Sequence, residues 1–305
     1  MSWTAFLLIT ASILMHSLWH FLCKSSGKSS LPFFALFSTS LFLTMLPFAL
    51  LSGVLWSLPW NVLKFALLGG LFGFIGDLGL MLAYRYSDIS LAYPLARALP
   101  VFMTMLFTAL FSWGKSLTGT AQIGMSIIFA GCLLMAFSNN ACNLSWQQKL
   151  LYLKKGLPGI FLAALATTGY TIVDSFGIKN IISAYPDSNK LLLSGTYSCG
   201  RELAVALTLW LIILLRSRRS SERQLLRDLS RMWNPYAAGI FAALAYVLIL
   251  LAMNYVNNVS FVQAFRQLSL PLSALLGLLL LKEKISKLRW SALGLIMLGL
   301  LLCVL

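Results

Sequence analysis

Residues 70–100, GLFGFIGDLGLMLAYRYSDISLAYPLARALP, return further along the chain as residues 239–271, GIFAALAYVLILLAMNYVNNVSFVQAFRQLSLP, with short gaps near the central turn. In that register Gly70 falls on Gly239, Ala83 on Ala252, Tyr86 on Tyr255, Ser90 on Ser260, Arg97 on Arg266 and Pro100 on Pro271. Apolar sequence of low complexity often matches itself, but an Arg and a Pro recurring in register set this pair apart. The downstream runs QIGMSIIFAGCLLM (122–135) and WSALGLIMLGLLL (290–302) correspond as well. The repeated unit is built of apolar runs whose length matters, because a hydrocarbon core of about 30 Å needs roughly 20 apolar helical residues to cross it.

Measured by that ruler, the 305 residues, of mean hydropathy +0.86, resolve into ten spans at 3–22, 31–52, 62–84, 89–111, 119–137, 157–178, 190–215, 234–256, 259–281 and 288–305. The expectation is an all-α membrane protein of ten transmembrane helices. A first five-helix repeat occupies 1–140, a cytoplasmic linker 141–156 and a second repeat 157–305. Five is odd, so the second copy enters the membrane upside down relative to the first. Loop charge agrees: the link at 52–61 is nearly uncharged, whereas its counterpart carries six arginines between Arg216 and Arg231. Inverted repeats give two near-equivalent packings, the basis of alternating access.

A net charge of +15 in a soluble protein would point to nucleic acid, but here the positions of the charges decide otherwise. Of 23 Lys and Arg, only Arg97, Arg201 and Arg266 lie well inside spans, away from their ends. Sixteen others fall on one face, among them Lys24, Arg85, Lys154, Lys155, the arginines of the 216–231 segment and Lys287. Only Lys64, Lys115, Lys179 and Lys190 fall on the other. Short cytoplasmic loops collect Lys and Arg, which makes the rich face cytoplasmic and puts both termini outside. The basic charge is then topology signal and lipid-headgroup attraction, with no nucleic-acid partner. Span one lacks a basic n-region and a small-residue cleavage site, so it reads as a retained helix. Cys23, Cys132, Cys142, Cys199 and Cys303 show no CxxC spacing and read as packing residues. The polar segment RSRRSSERQLLRDLSRMW (216–233) places Leu225, Leu226, Leu229, Met232 and Trp233 at roughly helical spacing, as in a short amphipathic helix on the inner leaflet.

Over essentially its whole length the chain resembles the EamA-type carriers of the drug/metabolite transporter superfamily. It is most similar to a subgroup marked by HAxWN and YPLAR motifs. HSLWHFLCK (16–24), AYRYSDISLAYPLARALP (83–100), TTGYTIVDSFGIK (167–179) and VSFVQAFRQLSLPLSALLGLLLLKEKIS (259–286) carry that similarity. Three departures stand out: His20 where Asn is usual, Gln267 where Glu is common, and Gly114–Lys115 where many members have Gly-Glu. The resemblance implies a multi-pass secondary transporter in a bacterial cytoplasmic (inner) membrane, without cofactor. Some members of the subgroup are linked to phosphonate use, which hints at a small anionic metabolite.

Ionisable groups within spans are expensive, from about 3 kcal/mol upward, and tend to face a cavity or a partner. Arg97 lies about eight residues into span four and Arg266 about seven into span nine, roughly 11–12 Å deep from opposite faces at 1.5 Å per residue. Two guanidinium groups near the midplane suit a carboxylate, phosphate or phosphonate. The alternative is that each pairs with an acid or with backbone carbonyls to hold the bundle. Asp77 and Asp174 are the evident acids, either counter-ions or proton-coupling sites. Arg201 and Glu202, adjacent on a helix and about 100° apart, look like poor partners for each other and suit a packing or rim role.

His16 and His20 share a helix face beside Trp19, and Tyr170 aligns with Trp19 in the other repeat. These, with Tyr93 and Gln263, complete the candidate set for substrate binding or coupling; Tyr84, Thr167, Thr168 and Asn254 are secondary. No metal set is expected. The chain contains no GxSxG, HExxH or Walker motif, which argues against an enzyme and against direct ATP coupling. A small-molecule substrate, the bilayer, and a proton or counter-substrate are the expected partners, to a monomer or homodimer. A multidrug exporter or lipid-headgroup flippase on the same fold is the alternative.

Overall fold

The computed structural model describes residues 2–25, 30–86, 89–137, 146–216, 220–272 and 286–305. Every regular element among them is helical: α1 (Trp3–Ser25), α2 (Leu31–Leu51), α3 (Trp60–Tyr86), α4 (Ile89–Leu110), α5 (Gly119–Phe137), α6 (Trp146–Ala184), α7 (Lys190–Arg216), α8 (Ser220–Ser230), α9 (Asn234–Ala252), α10 (Ser260–Phe265) and α11 (Lys287–Val304). Turns of 3-10 helix occur at Leu55–Ser57, Met253–Tyr255 and Arg266–Leu268.

Among the described residues seven helices are long and apolar enough to cross a bilayer, and the apolar stretches Trp3–Trp19 of α1 and Pro94–Leu110 of α4 accompany them. Their outer surfaces are as apolar as their cores. Along the Trp60–Ala83 segment Leu63, Leu67 and Leu71 are exposed. A helix apolar all round belongs in hydrocarbon. Trp3, Trp56, Trp60, Trp113, Trp233 and Trp290 are all exposed at or near helix ends, where amphipathic indole rings settle at a membrane–water interface. This is the make-up of an all-α, multi-pass membrane protein.

The helices start close to where hydropathy places them, and local chemistry explains the starts. Asn189 Oδ1 accepts from the backbone N–H of Leu191 at 2.9 Å, capping α7, and the Ser286 hydroxyl accepts from Arg289 N at 3.3 Å, capping α11. The largest difference is α6, whose 39 residues run to about 58 Å, well beyond a hydrocarbon core. Hydropathy registers only the apolar part from 157; WQQKLLYLKK before it is polar but made largely of good helix formers, so helix extends through 146–156. Within the amphipathic segment expected at 216–233, Ser220–Ser230 is helical as α8, with Leu229 fully buried. Much of the ninth expected span lies outside the described residues.

The chain forms two compact units, each drawing on both halves of the sequence. The first comprises Ile75–Thr168 and Val256–Leu305, the second Ser2–Phe74 and Gly169–Tyr255, so α3 and α6 each contribute to both. In the second unit α1 packs on α9, and α2 on α7 and α9. Side-chain hydroxyls tie these helices: Ser12 donates to Ala245 O at 2.7 Å, Ser40 to Tyr236 O at 2.8 Å, and Trp210 Nε1 donates to Thr39 Oγ1 at 2.8 Å. In lipid such bonds and small residues take over from hydrophobic attraction between helices.

In the first unit α5 packs on α4 and α11, and α10 on α4. Ala83, Leu95, Ala96, Ala136, Ile160 and Ala163 form its core. There α3 and α6 meet backbone to backbone: a Cβ on Gly159 would come within 2.5 Å of Ala83 N, and one on Gly79 within 2.5 Å of Ala163 N. Only glycine permits that approach. The loop after α4 is fastened to the start of α10, Lys115 N donating to Asn257 O at 3.0 Å and Asn258 Nδ2 to Lys115 O at 3.1 Å.

Candidate functional site

The three arginines expected within spans, one on each of α4 and α7 and one just after α10, sit in two settings. In the second unit Arg201 on α7 is buried and fully countered. Its Nε lies 3.3 Å from Asp174 Oδ2 of α6, and its Nη1 pairs with Glu202. Tyr197 donates its hydroxyl to Asp174 Oδ1 at 2.7 Å, and Tyr246 of α9 donates to Oδ2. The guanidinium stands over the rings of Tyr246 and Tyr170, 4.6 and 5.1 Å from their centroids, a cation–π arrangement that replaces water by aromatic faces. Ser38 of α2 reaches Glu202 Oε2 at 3.4 Å. The cluster fits because α3 turns glycines toward it: a Cβ on Gly73 would meet Arg201 Nη2 at 2.8 Å, and one on Gly69 would strike Asp174.

This corrects the expectation for Arg201 and Glu202. Neighbouring Cβ atoms on a helix do point about 100° apart, but a guanidinium at the end of a long stem can swing across that gap. With both groups buried, pairing is the cheaper arrangement. Asp174 is therefore a counter-ion of Arg201.

In the first unit Arg97 and Arg266, 169 residues apart in sequence, are brought together. Arg97 Nη2 donates to Arg266 O at 2.9 Å and to Ser269 Oγ at 3.0 Å. In the 3-10 turn at Arg266–Leu268 the same Arg266 carbonyl also accepts from the backbone N–H of Ser269 and from the Ser269 hydroxyl at 2.9 Å, its two lone pairs shared among these donors. Gln267 Nε2 donates to Arg97 O and to Gln263 O, both at 3.2 Å, and Thr108 on α4 shares a 2.9 Å hydrogen bond with Ser260. Arg266 is buried at 6% exposure, makes no ion pair among the described residues, and its Nη1 has no hydrogen-bond partner. Thr104 Oγ1, Gln263 Oε1 and Gln267 Oε1 are likewise buried without partners.

The remaining candidates are more ordinary. Trp19 Nε1 donates to His16 Nδ1 at 2.9 Å, and its ring packs 5.4 Å from that of Phe37. Tyr170 belongs to the Arg201 cluster, edge-on to Tyr246. Asp77 is half-buried on α3 within the first unit. Thr168 is turned back on its own helix toward Ala164 O, and Asn254 toward Leu250 O and Leu251 O. The side chains of His20, Tyr84 and Tyr93 lie outside the described residues. Sequence reasoning missed Tyr197 and Tyr246, and passed over Gln267 and Thr104. The cost of intramembrane charge alone was a usable signal that Asp174, Arg201 and Glu202 should find each other.

No family model and no curated protein matches the chain. Among solved structures, one described only as a crystal structure of a protein is similar in fold, with a TM-score of 0.69 at 19% identity over 99% of this chain and 96% of that one. At that identity the likeness speaks for the fold alone.

Proposed function

We propose that the chain is a secondary transporter of a small polar or anionic metabolite, working by alternating access of two inverted five-helix repeats, like the EamA-type carriers it resembles. On this reading it has ten transmembrane spans, resides in a bacterial cytoplasmic membrane with both termini outside, and is not an enzyme. The observation that carries the proposal is the buried Arg266 guanidinium, which has no acid partner among the described residues. A guanidinium stays charged at any relevant pH, and an unpaired buried charge is costly, so an anion is what its setting lacks. Arg266 is then the ligand contact. Arg97 is a positioning residue that fixes the Arg266 backbone through its carbonyl. The 3-10 turn beneath Arg266 is a natural point for its helix to bend as access alternates.

The test is flux into proteoliposomes containing the purified chain, with a panel of carboxylates, phosphonates and phosphate esters and no ATP. The proposal expects ATP-independent, saturable movement of a small anion that Arg266→Met reduces at least about a hundredfold, in line with loss of a charge-assisted bidentate contact. Movement of lipophilic cations or lipid headgroups with no anion flux would replace it by the exporter or flippase reading.

A further inference from the structure

The partnerless polar atoms in the first unit form a pattern. Arg97 bonds to Arg266 and Ser269, and Thr108 to Ser260, so α4 runs antiparallel to the 260–269 segment. That register brings Thr104 level with Gln263. Thr104 Oγ1, Gln263 Oε1, Arg266 Nη1 and Gln267 Oε1, all buried and without hydrogen-bond partners, therefore fall along one stretch of a single helix–helix interface. Native proteins leave few buried polar atoms unmatched, and several in one place call for a common explanation.

The four atoms ask for different things. Arg266 Nη1 is a donor and wants an acceptor. The amide oxygen of Gln267 is an acceptor and cannot be exchanged with its nitrogen, because Nε2 is already donating to two carbonyls, Arg97 O and Gln263 O. Gln263 Oε1 adds a second acceptor, and the Thr104 hydroxyl can serve either way. A simple anion offers only acceptors, which satisfies Arg266 and leaves both amide oxygens unmatched.

We infer that the ligand of Arg266 carries a hydrogen-bond donor, a hydroxyl or an ammonium group, beside its anionic group: the substrate class is small hydroxylated or amino-bearing anions. The inference rests on the transporter reading and narrows it. The anionic group docks on Arg266, and the donor reaches the Gln263 and Gln267 oxygens one helical turn apart.

The experiment is equilibrium binding and thermal stability of the full detergent-purified chain with matched ligands. One set is propionate, 3-hydroxypropionate and β-alanine; the other is ethyl phosphate, 2-hydroxyethyl phosphate and phosphoethanolamine. The donor-bearing members are expected to bind at least about tenfold tighter than their parents, since a site with unmatched polar groups rejects an analogue lacking the donor. That preference is expected to shrink in Gln263→Met and in Gln267→Met, the former being the milder change because Gln267 also anchors two backbone carbonyls. Equal binding of parent and donor-bearing ligands by the wild type overturns the inference and leaves the anion reading standing. A donor preference unchanged in both variants also overturns it. If no anion of either kind binds, the transporter reading itself fails and the inference with it.

Discussion

Arg201 and Arg266 are the same residue type, buried to the same 6%, yet their surroundings are opposites. Arg201 has two carboxylates and two aromatic faces around it, with tyrosine hydroxyls completing the coordination of Asp174. Arg266 has no acid in ion-pair reach among the described residues. Burial alone thus says nothing about role; the balance of charge around the group does. On the proposed reading, the closed charge holds helices together and the open one is where a ligand docks.

Four substitutions test that contrast, and the largest effect is expected at the closed cluster. Arg201→Leu leaves Asp174 and Glu202 buried without their cation, which costs about 3–5 kcal/mol. For a chain of this size that lowers Tm by on the order of 10 °C in a detergent melt. Tyr246→Phe removes one hydroxyl from Asp174 and is expected to cost about 1–3 kcal/mol, a drop of several degrees in the same assay. Ser269→Ala removes one of the two acceptors of Arg97 Nη2 and is expected to cost about 1 kcal/mol, with anion flux lowered as Arg266 loses its support. Arg266→Met is expected to leave Tm unchanged or raised, because it removes an unmatched charge, while abolishing the response to anions. Equal losses of stability at Arg201 and Arg266 would erase the distinction.

Much of this architecture can be read in the sequence. Helix positions follow from apolar run length because the bilayer imposes one thickness on every span, and α2, α5 and α7 end within a residue or so of their hydropathy limits. The polar extension of α6 cannot be read that way, since helix propensity and hydropathy part company outside the membrane. The Arg97–Arg266 pair was legible from the repeat, which marks both positions. What it could not reveal was the division of labour between them, for that depends on a 3-10 turn that aims one carbonyl at Arg97. Arg201 was misjudged because angular spacing on a helix describes Cβ directions and a long side chain need not follow them. Its tyrosines come from three helices, so no local pattern announces them.

The most direct test of the contrast is a thermal melt of wild type, Arg201→Leu and Arg266→Met with and without the small-anion panel. A ligand that binds only the folded state raises its Tm. The account predicts that an anion stabilises the wild type, that Arg266→Met melts at or above the wild-type temperature with no response to that anion, and that Arg201→Leu melts far below both. An Arg266→Met protein that melts as low as Arg201→Leu, or that still responds to the anion, would contradict it.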